Sequence, residues 1–275
     1  VIVPTTEPIL GIIGYFFAKK YGIPIIYEVQ DNYEIYDSYS IPFVRFLDHN
    51  VIKNSDYVFF SNYPLMNKHK FLRNNKIEVI ENGIDLDFFR LIPKKSARNS
   101  LGINQEIKLI TYIGSISKDR GIDLMIDAVG DLSKDDRRIH LLISGKVWRG
   151  ININKPWIIF KELPKREQVV KALNASDLLV LASTDNPFTK YSFPQKLFEY
   201  MSVNVPIVAT EVGDVARILK PFKGLLCKPN NIKDLKSKML QQMKRKSINY
   251  RKTAMKYTWK NLSRKLDKMI IKVTR

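Results

Sequence analysis

Apolar runs rich in Ile and Val recur along this chain, separated by segments whose apolar positions repeat with a helical period. The runs predict strands at Ile2–Pro4, Pro24–Val29, Tyr57–Phe60, Ile77–Ile80, Ile107–Ile113, Ile139–Ser144, Trp157–Phe160, Leu178–Leu181 and Ile207–Ala209. Strands this uniformly apolar, alternating with helices, imply α/β architecture with parallel sheets covered on both faces. The stretch Leu91–Glu106 breaks the alternation with Pro93, Lys94, Lys95 and Gly102, and reads as a linker or hinge-proximal helix. Ile9–Ala18 reads as a buried helix, with Gly11 and Gly14 allowing close packing. Two C-terminal stripes predict helices: Ile232, Leu235, Met239, Leu240 and Met243, then Trp259, Leu262, Leu266, Met269, Ile270 and Val273.

Charge and cysteine content narrow the classes. The chain has 275 residues and one cysteine, Cys227, so neither an internal disulfide nor a cysteine-built zinc site can form. That fits a reducing compartment. No apolar run approaches the ~20 residues of a membrane span. The net charge of +19 is uneven: from Asn231 to Arg275 fifteen Lys or Arg stand against two acids, which leaves +6 on the other 230 residues. A basic tail of this kind attracts phosphates of nucleic acid or anionic lipid, and it also reads as a solvated helix face.

In an open parallel sheet, ligands bind beyond the carboxyl ends of the strands. The residues after the expected strands form a coherent set: Gln30-Asp31, Glu81-Asn82-Gly83, Gly114-Ser115 leading to Arg120-Gly121, Gly145-Lys146, Leu163-Pro164, and Ser183 through Pro194. The sharpest signal is Tyr191-Ser192-Phe193-Pro194-Gln195-Lys196-Leu197-Phe198-Glu199. Ser192 and Gln195 match a capping box, and Pro194 suits a first turn. A helix start offers free N–H groups and a positive dipole end to phosphate oxygens. Lys196 adds a cation, and Glu199 can accept two ribose hydroxyls. The same residues also read as an ordinary amphipathic helix with a Lys–Glu pair. Gly114 allows close backbone approach, and Arg120 can pair with a diphosphate in forked fashion.

At this point the residues resemble family 4 glycosyltransferases of GT-B fold. The resemblance rests on six motifs in order: Glu81-Asn-Gly-Ile-Asp85, Tyr112-Ile-Gly-Ser115 through Asp123, Ala175 through Val180, Ser192 through Met201, Val205 through Thr210, and Gly224-Leu-Leu. It implies retaining transfer of a sugar from a nucleotide diphosphate donor bound by the second lobe, with no cofactor and no metal. It implies ribose on Glu199. Tyr191 stands where the family has another glutamate, and Ser115 where it has an arginine of the diphosphate pair; Arg120 keeps the second cation, and Lys196 is a candidate substitute for the first. Gln30 takes the place of a family His or Arg near the reacting centre, so Gln30 and Asp31 are expected to orient sugar or acceptor.

The resulting expectation is a two-lobed α/β chain with a shortened first lobe. Residues 1–92 form an acceptor-side lobe and 93–259 a donor lobe, with a helix at about 260–275 returning to the first. The donor set is Gly114, Ser115, Arg120, Lys146, Leu163, Tyr191, Ser192, Phe193, Pro194, Lys196 and Glu199, with Gln30 and Asp31 at the reacting centre. The expected acceptor is a saccharide or a lipid-linked one, and the expected place is the cytoplasm, peripheral on the inner membrane face through the basic helices. Two alternatives remain: a non-catalytic nucleotide-sugar-binding module, and a basic nucleic-acid-binding protein. The second ranks lower because no nucleic-acid motif accompanies the charge.

Overall fold

A computed structural model describes residues 1–245 and 248–274. Lys246, Ser247 and Arg275, three residues of the basic tail, lie outside the described residues. The chain divides into two compact units. One holds Val1–Gly83, Lys190–Phe193 and the chain from Tyr257 onward; the other holds Ile84–Thr189 and Pro194–Lys256. The expected boundary stood after residue 92; the compact units divide after Gly83.

The first unit runs α1 (Pro8–Tyr21), β1 (Ile26–Val29), two 3-10 turns (Tyr33–Ile35 and Asp37–Ser40), α2 (Val44–Asn54), β2 (Tyr57–Phe60), α3 (Tyr63–His69) and β3 (Ile77–Val79). The strands form a parallel sheet in the order β1-β2-β3, with Ile26 opposite Tyr57 and Val58 opposite Ile77. Successive side chains alternate between faces. Tyr27, Val29, Val58 and Phe60 join a cluster with Ile12, Val44 and Val51. Ile26 and Phe59 join Leu262 and Met269 on the C-terminal helix. Each apolar side chain buried fully in this way contributes about 1.5–3 kcal/mol.

Pro8 opens α1, and Gly22 closes it with a left-handed φ of 64°. Gly11 lies against the Tyr27 ring: a Cβ there would sit 2.4 Å from it. The expectation of a buried helix is corrected, since Leu10, Ile13, Phe16 and Phe17 are half-exposed. Apolar side chains run round most of its circumference, and one helix face is all a single sheet layer can cover. Ile2 forms one parallel bridge to Ile25 where a strand was expected. Beneath α1, the buried Asp48 carboxylate accepts hydrogen bonds from the hydroxyls of Tyr27 and Tyr39. Burial pushes its pKa up, and those two donors oppose the shift.

The second unit runs α4 (Lys94–Leu101), β4 (Lys108–Ile113), a 3-10 turn (Lys118–Arg120), α5 (Ile122–Asp135), β5 (Ile139–Ser144), β6 (Ile158–Phe160), α6 (Arg166–Ala175), β7 (Leu178–Leu181), α7 (Pro187–Tyr191, whose last two residues belong to the first unit), α8 (Gln195–Ser202), β8 (Ile207–Thr210), α9 (Gly213–Leu219), β9 (Leu226–Cys227), α10 (Ile232–Met243) and α11 (Arg251–Ala254). The C-terminal helix α12 (Trp259–Thr274) belongs to the first unit. The six strands are parallel, in the order β6-β5-β4-β7-β8-β9. The short β9 escaped the sequence pattern because two residues carry no readable period. Of the linker or hinge-proximal helix expected within Leu91–Glu106, the structure forms the helix α4, held by its buried Arg98, whose guanidinium donates to the Ala175, Gln105 and Ile107 carbonyls and to Asp177. Among the described residues no helix is long and apolar enough to cross a membrane.

Candidate functional site

The sheet of the second unit has a switch point. From β4 the chain moves outward through β5 to β6, then returns beside β4 with β7 and continues outward to β9. Loops leaving β4 and β7 therefore diverge, and the crevice at their carboxyl ends is where doubly wound sheets bind ligands. Gly114 and Ser115 follow β4, and Ala182 through Asn186 follow β7.

Several contacts shape this end of the sheet. Tyr112 donates its hydroxyl to the Ser115 carbonyl at 2.9 Å. Gly121, with φ of 65°, brings the backbone so near β7 that a Cβ would lie 1.8 Å from the Ala182 carbonyl oxygen. Thr184 donates both its backbone N–H and its hydroxyl to the Asp119 carbonyl. The Arg120 guanidinium lies 4.7 Å from the Phe188 ring centroid.

Helix α8 supplies the charged pair. Leu197, Phe198, Tyr200 and Met201 are buried, which turns Lys196 and Glu199 toward the half-buried side. Lys196 reaches Gly114: a Cβ on that glycine would fall 2.1 Å from Lys196 Cε. Burial lowers the Lys196 pKa first and Arg120 adds to the shift, while Glu199 opposes it. Burial raises the Glu199 pKa, against the attraction of Lys196 and Arg166. Arg120, Lys196, Glu199 and Arg166 thus form one electrostatic group. The expected capping box is corrected: the helix starts at Gln195 with Pro194 as its N-cap and no side-chain cap. Ser192 stands two residues before that cap.

Not every expected residue joins this group. Leu163 packs on the cluster of Leu109, Leu142 and Ala172. Ser115 Oγ accepts from Trp148 Nε1 at 2.8 Å, and the Lys146 ammonium lies 5.0 Å from that indole ring. Gln30, Asp31, Tyr191, Ser192 and Phe193 belong to the first unit. There the Gln30 N–H donates to the Tyr33 hydroxyl at 3.1 Å, and its carbonyl accepts from Ser61 Oγ at 2.5 Å. Asp31 accepts from the Tyr36 hydroxyl at 2.9 Å. The Asn62 amide donates to Ser61 Oγ and to the Tyr191 carbonyl, so one hydrogen-bonded chain links Gln30 to Tyr191. Lys68 lies 4.9 Å from the Tyr191 ring centroid.

Asn62, Ser61, Trp148 and Arg166 were missed in the sequence. The first two follow β2 and Trp148 lies just past β5, so the strand-end rule would have reached them. Arg166 opens α6 two residues after Leu163-Pro164.

Residues 93–261 match the sequence profile described as "Glycosyl transferases group 1". An uncharacterized glycosyltransferase of Methanocaldococcus jannaschii is 24% identical, over 90% of this chain and 68% of its own. The N-acetyl-alpha-D-glucosaminyl L-malate synthase of Bacillus anthracis is also 24% identical, over 70% of this chain and 51% of its own. The crystal structure of Anabaena HepE in complex with UDP-glucose superposes with a TM-score of 0.75 at 17% identity, covering 96% of this chain and 76% of that one. That likeness shows the GT-B fold. The profile covers more than half of the sequence, and the chain belongs to the glycosyl transferases group 1 family.

Proposed function

We propose that this chain transfers a sugar from a nucleotide diphosphate donor, with retention, to a saccharide or lipid-linked acceptor. The observation that carries the reading is the group Arg120, Lys196 and Glu199 at the switch point of the six-stranded sheet. The Glu199 carboxylate accepts the two ribose hydroxyls. Lys196 and Arg120 take the diphosphate, and Gly114 leaves room for its oxygens. In the transition state charge builds on the departing diphosphate, and cations fixed beforehand stabilise it without reorganising. Gln30 cannot serve as a base. In the retaining course the departing phosphate accepts the acceptor's proton, while Gln30 and Asp31 orient hydroxyls. The hydroxyls of Tyr33 and Tyr36 support this role, because they hold the Gln30 backbone and the Asp31 carboxylate in place.

The experiment is calorimetric titration of the wild type and Glu199→Ala with UDP, GDP, dTDP and ADP and their sugar conjugates. One nucleotide binds the wild type, with UDP the first choice because HepE is described with UDP-glucose. Glu199→Ala weakens it by about 2 kcal/mol, the loss of two hydrogen bonds to a charged group. Equal binding by both proteins removes Glu199 from the site.

A specific observation favours peripheral attachment to an anionic membrane on the cytoplasmic side. Lys260, Arg264, Lys268 and Lys272 are exposed on α12 at four-residue intervals, which places them along one face. Each such cation contributes about 1 kcal/mol near an anionic surface. Vesicles of phosphatidylserine should bind the chain at low salt and release it at high salt; binding indifferent to salt would exclude the charge mechanism.

A further inference from the structure

The loop after β5 carries an aromatic residue that none of the sequence motifs uses. Trp148 is 53% exposed, yet it is held at three points. Its indole N–H donates to Ser115 Oγ at 2.8 Å. Its backbone N–H donates to the Ile116 carbonyl at 3.0 Å. Its ring receives the Lys146 ammonium, 5.0 Å from the centroid. Ile116 in turn donates its N–H to the Lys146 carbonyl at 2.9 Å, and Ile116 and Val147 form a parallel bridge. The loops leaving β4 and β5 are therefore stitched together beyond the ends of both strands. Gly145 permits the approach, since a Cβ there would lie 2.0 Å from the Gly114 carbonyl oxygen.

The consequence concerns charge. The diphosphate of a sugar donor is a dianion, and its recognition needs cations that remain protonated and within reach. Ser115 supplies no charge, and its oxygen already accepts from Trp148. Lys196 is half-buried, whereas Lys146 is exposed. A long, flexible lysine side chain in solvent gives up rotamer freedom when it settles on one anion. An ammonium resting on an indole face is restrained in advance, at an attraction of about 0.5–1 kcal/mol for an exposed pair.

We infer that Trp148 is a positioning residue for the donor diphosphate: it clamps the Ser115 loop through its indole N–H and holds the Lys146 ammonium at the carboxyl end of β4 and β5, where Lys146 supplies the exposed cation that Ser115 lacks. The inference rests on the donor reading above and deepens it. It assigns Lys146 and Trp148 to the diphosphate and not to the base, the ribose or the sugar.

The test compares whichever of UDP, GDP, dTDP and ADP binds the wild type with the matching nucleoside monophosphate, by calorimetry at low salt. Lys146→Met should weaken the diphosphate about tenfold, with much less effect on the monophosphate, and Lys146→Arg should restore it. Trp148→Leu should reproduce most of the loss, and the double variant should be no weaker than Lys146→Met alone. Trp148→Phe, which keeps a ring and loses the N–H, should fall between and covers the case in which Trp148→Leu does not fold. Additive losses in the double variant, or equal losses for diphosphate and monophosphate, overturn the positioning role. A wild type that binds its diphosphate, with Lys146→Met binding equally well, overturns this inference and leaves the donor reading standing. A wild type that binds none of the four overturns both.

Discussion

The Asn62 side-chain amide donates a 2.7 Å hydrogen bond to the backbone carbonyl of Tyr191, 129 positions further along the chain. Asn62 is buried and makes two other bonds: its oxygen accepts from the Leu65 N–H and caps α3, and its nitrogen donates to Ser61 Oγ. Lys190–Phe193, just before the Pro194 cap of α8, belong to the first unit, and the helix itself belongs to the second.

Asn62→Ala removes the cap and leaves the Tyr191 carbonyl and the Leu65 N–H to find other partners. The expected cost is about 2–3 kcal/mol, read as a lower midpoint in urea denaturation. Asn62→Ser keeps a capping oxygen and loses the amide donor without burying a charge, so its cost should be clearly smaller. Equal costs for the two would show that the Tyr191 bond, and not the cap, carries the stability.

Donor affinity should depend on pH at both ends of the range. Burial raises the Glu199 pKa, so the carboxylate proposed to accept ribose hydroxyls is lost at a less acidic pH than for an ordinary glutamate. Burial and Arg120 lower the Lys196 pKa, so its charge is lost at a less alkaline pH than for an ordinary lysine. Calorimetric affinities across the range should fall on both limbs. Glu199→Gln should flatten the acid limb alone, and Lys196→Met the alkaline limb alone.

Glu28 offers a stability test in the first unit. Burial, with help from Asp31, raises its pKa from 4.5 to about 6. The folded chain binds this proton more tightly than the unfolded chain, so the favourable contribution is complete below pH 4.5 and is lost as pH rises through about 6. Glu28→Gln should therefore stabilise the protein at about pH 8, by about 1 kcal/mol once solvent screening is allowed for, and should do nothing near pH 4. Thermal melts at the two pH values decide it; a gain of the same size at both would point to hydrogen bonding and not to charge.

Gly121 and Gly102 have nearly the same left-handed φ, 65° and 62°, and different surroundings. A Cβ on Gly121 meets the Ala182 carbonyl oxygen at 1.8 Å, whereas one on Gly102 meets nothing within 4 Å. Gly102→Ala should cost about 1 kcal/mol from the backbone alone. Gly121→Ala should cost about 3 kcal/mol or more and should also weaken nucleotide binding, because the Arg120 turn must move to relieve the clash. Urea denaturation of the two variants, with calorimetry on the folded fraction, separates the effects.

Most of the second unit was legible from local pattern. Leu178–Leu181 and Ile139–Ser144 were read at their observed bounds because a strand buried on both faces is apolar at every position, and that signal needs no partner. Gly114 and Arg120 were singled out by asking which residues follow strands, a rule that comes from sheet topology alone, and Lys196 and Glu199 by the helix start that follows Pro194. Where the expectation went astray, local chemistry was ambiguous. Ser192-x-x-Gln195 has the spacing of a capping box, but Pro194 delays the helix start. The apolar Ile9–Ala18 run could not say how many of its faces would find a cover.

By itself the sequence determined the α/β class, the parallel strands and which charged residues follow them, because these depend on periodicity, composition and neighbours in the chain. Only the tertiary structure decided the β6-β5-β4-β7-β8-β9 order and its switch point, the Asn62–Tyr191 bond, and the junction of Trp148 with Ser115. Each joins residues whose separation in the chain carries no local signal. Their pairing is set by which strands lie side by side, and that order follows from burying all the apolar faces at once.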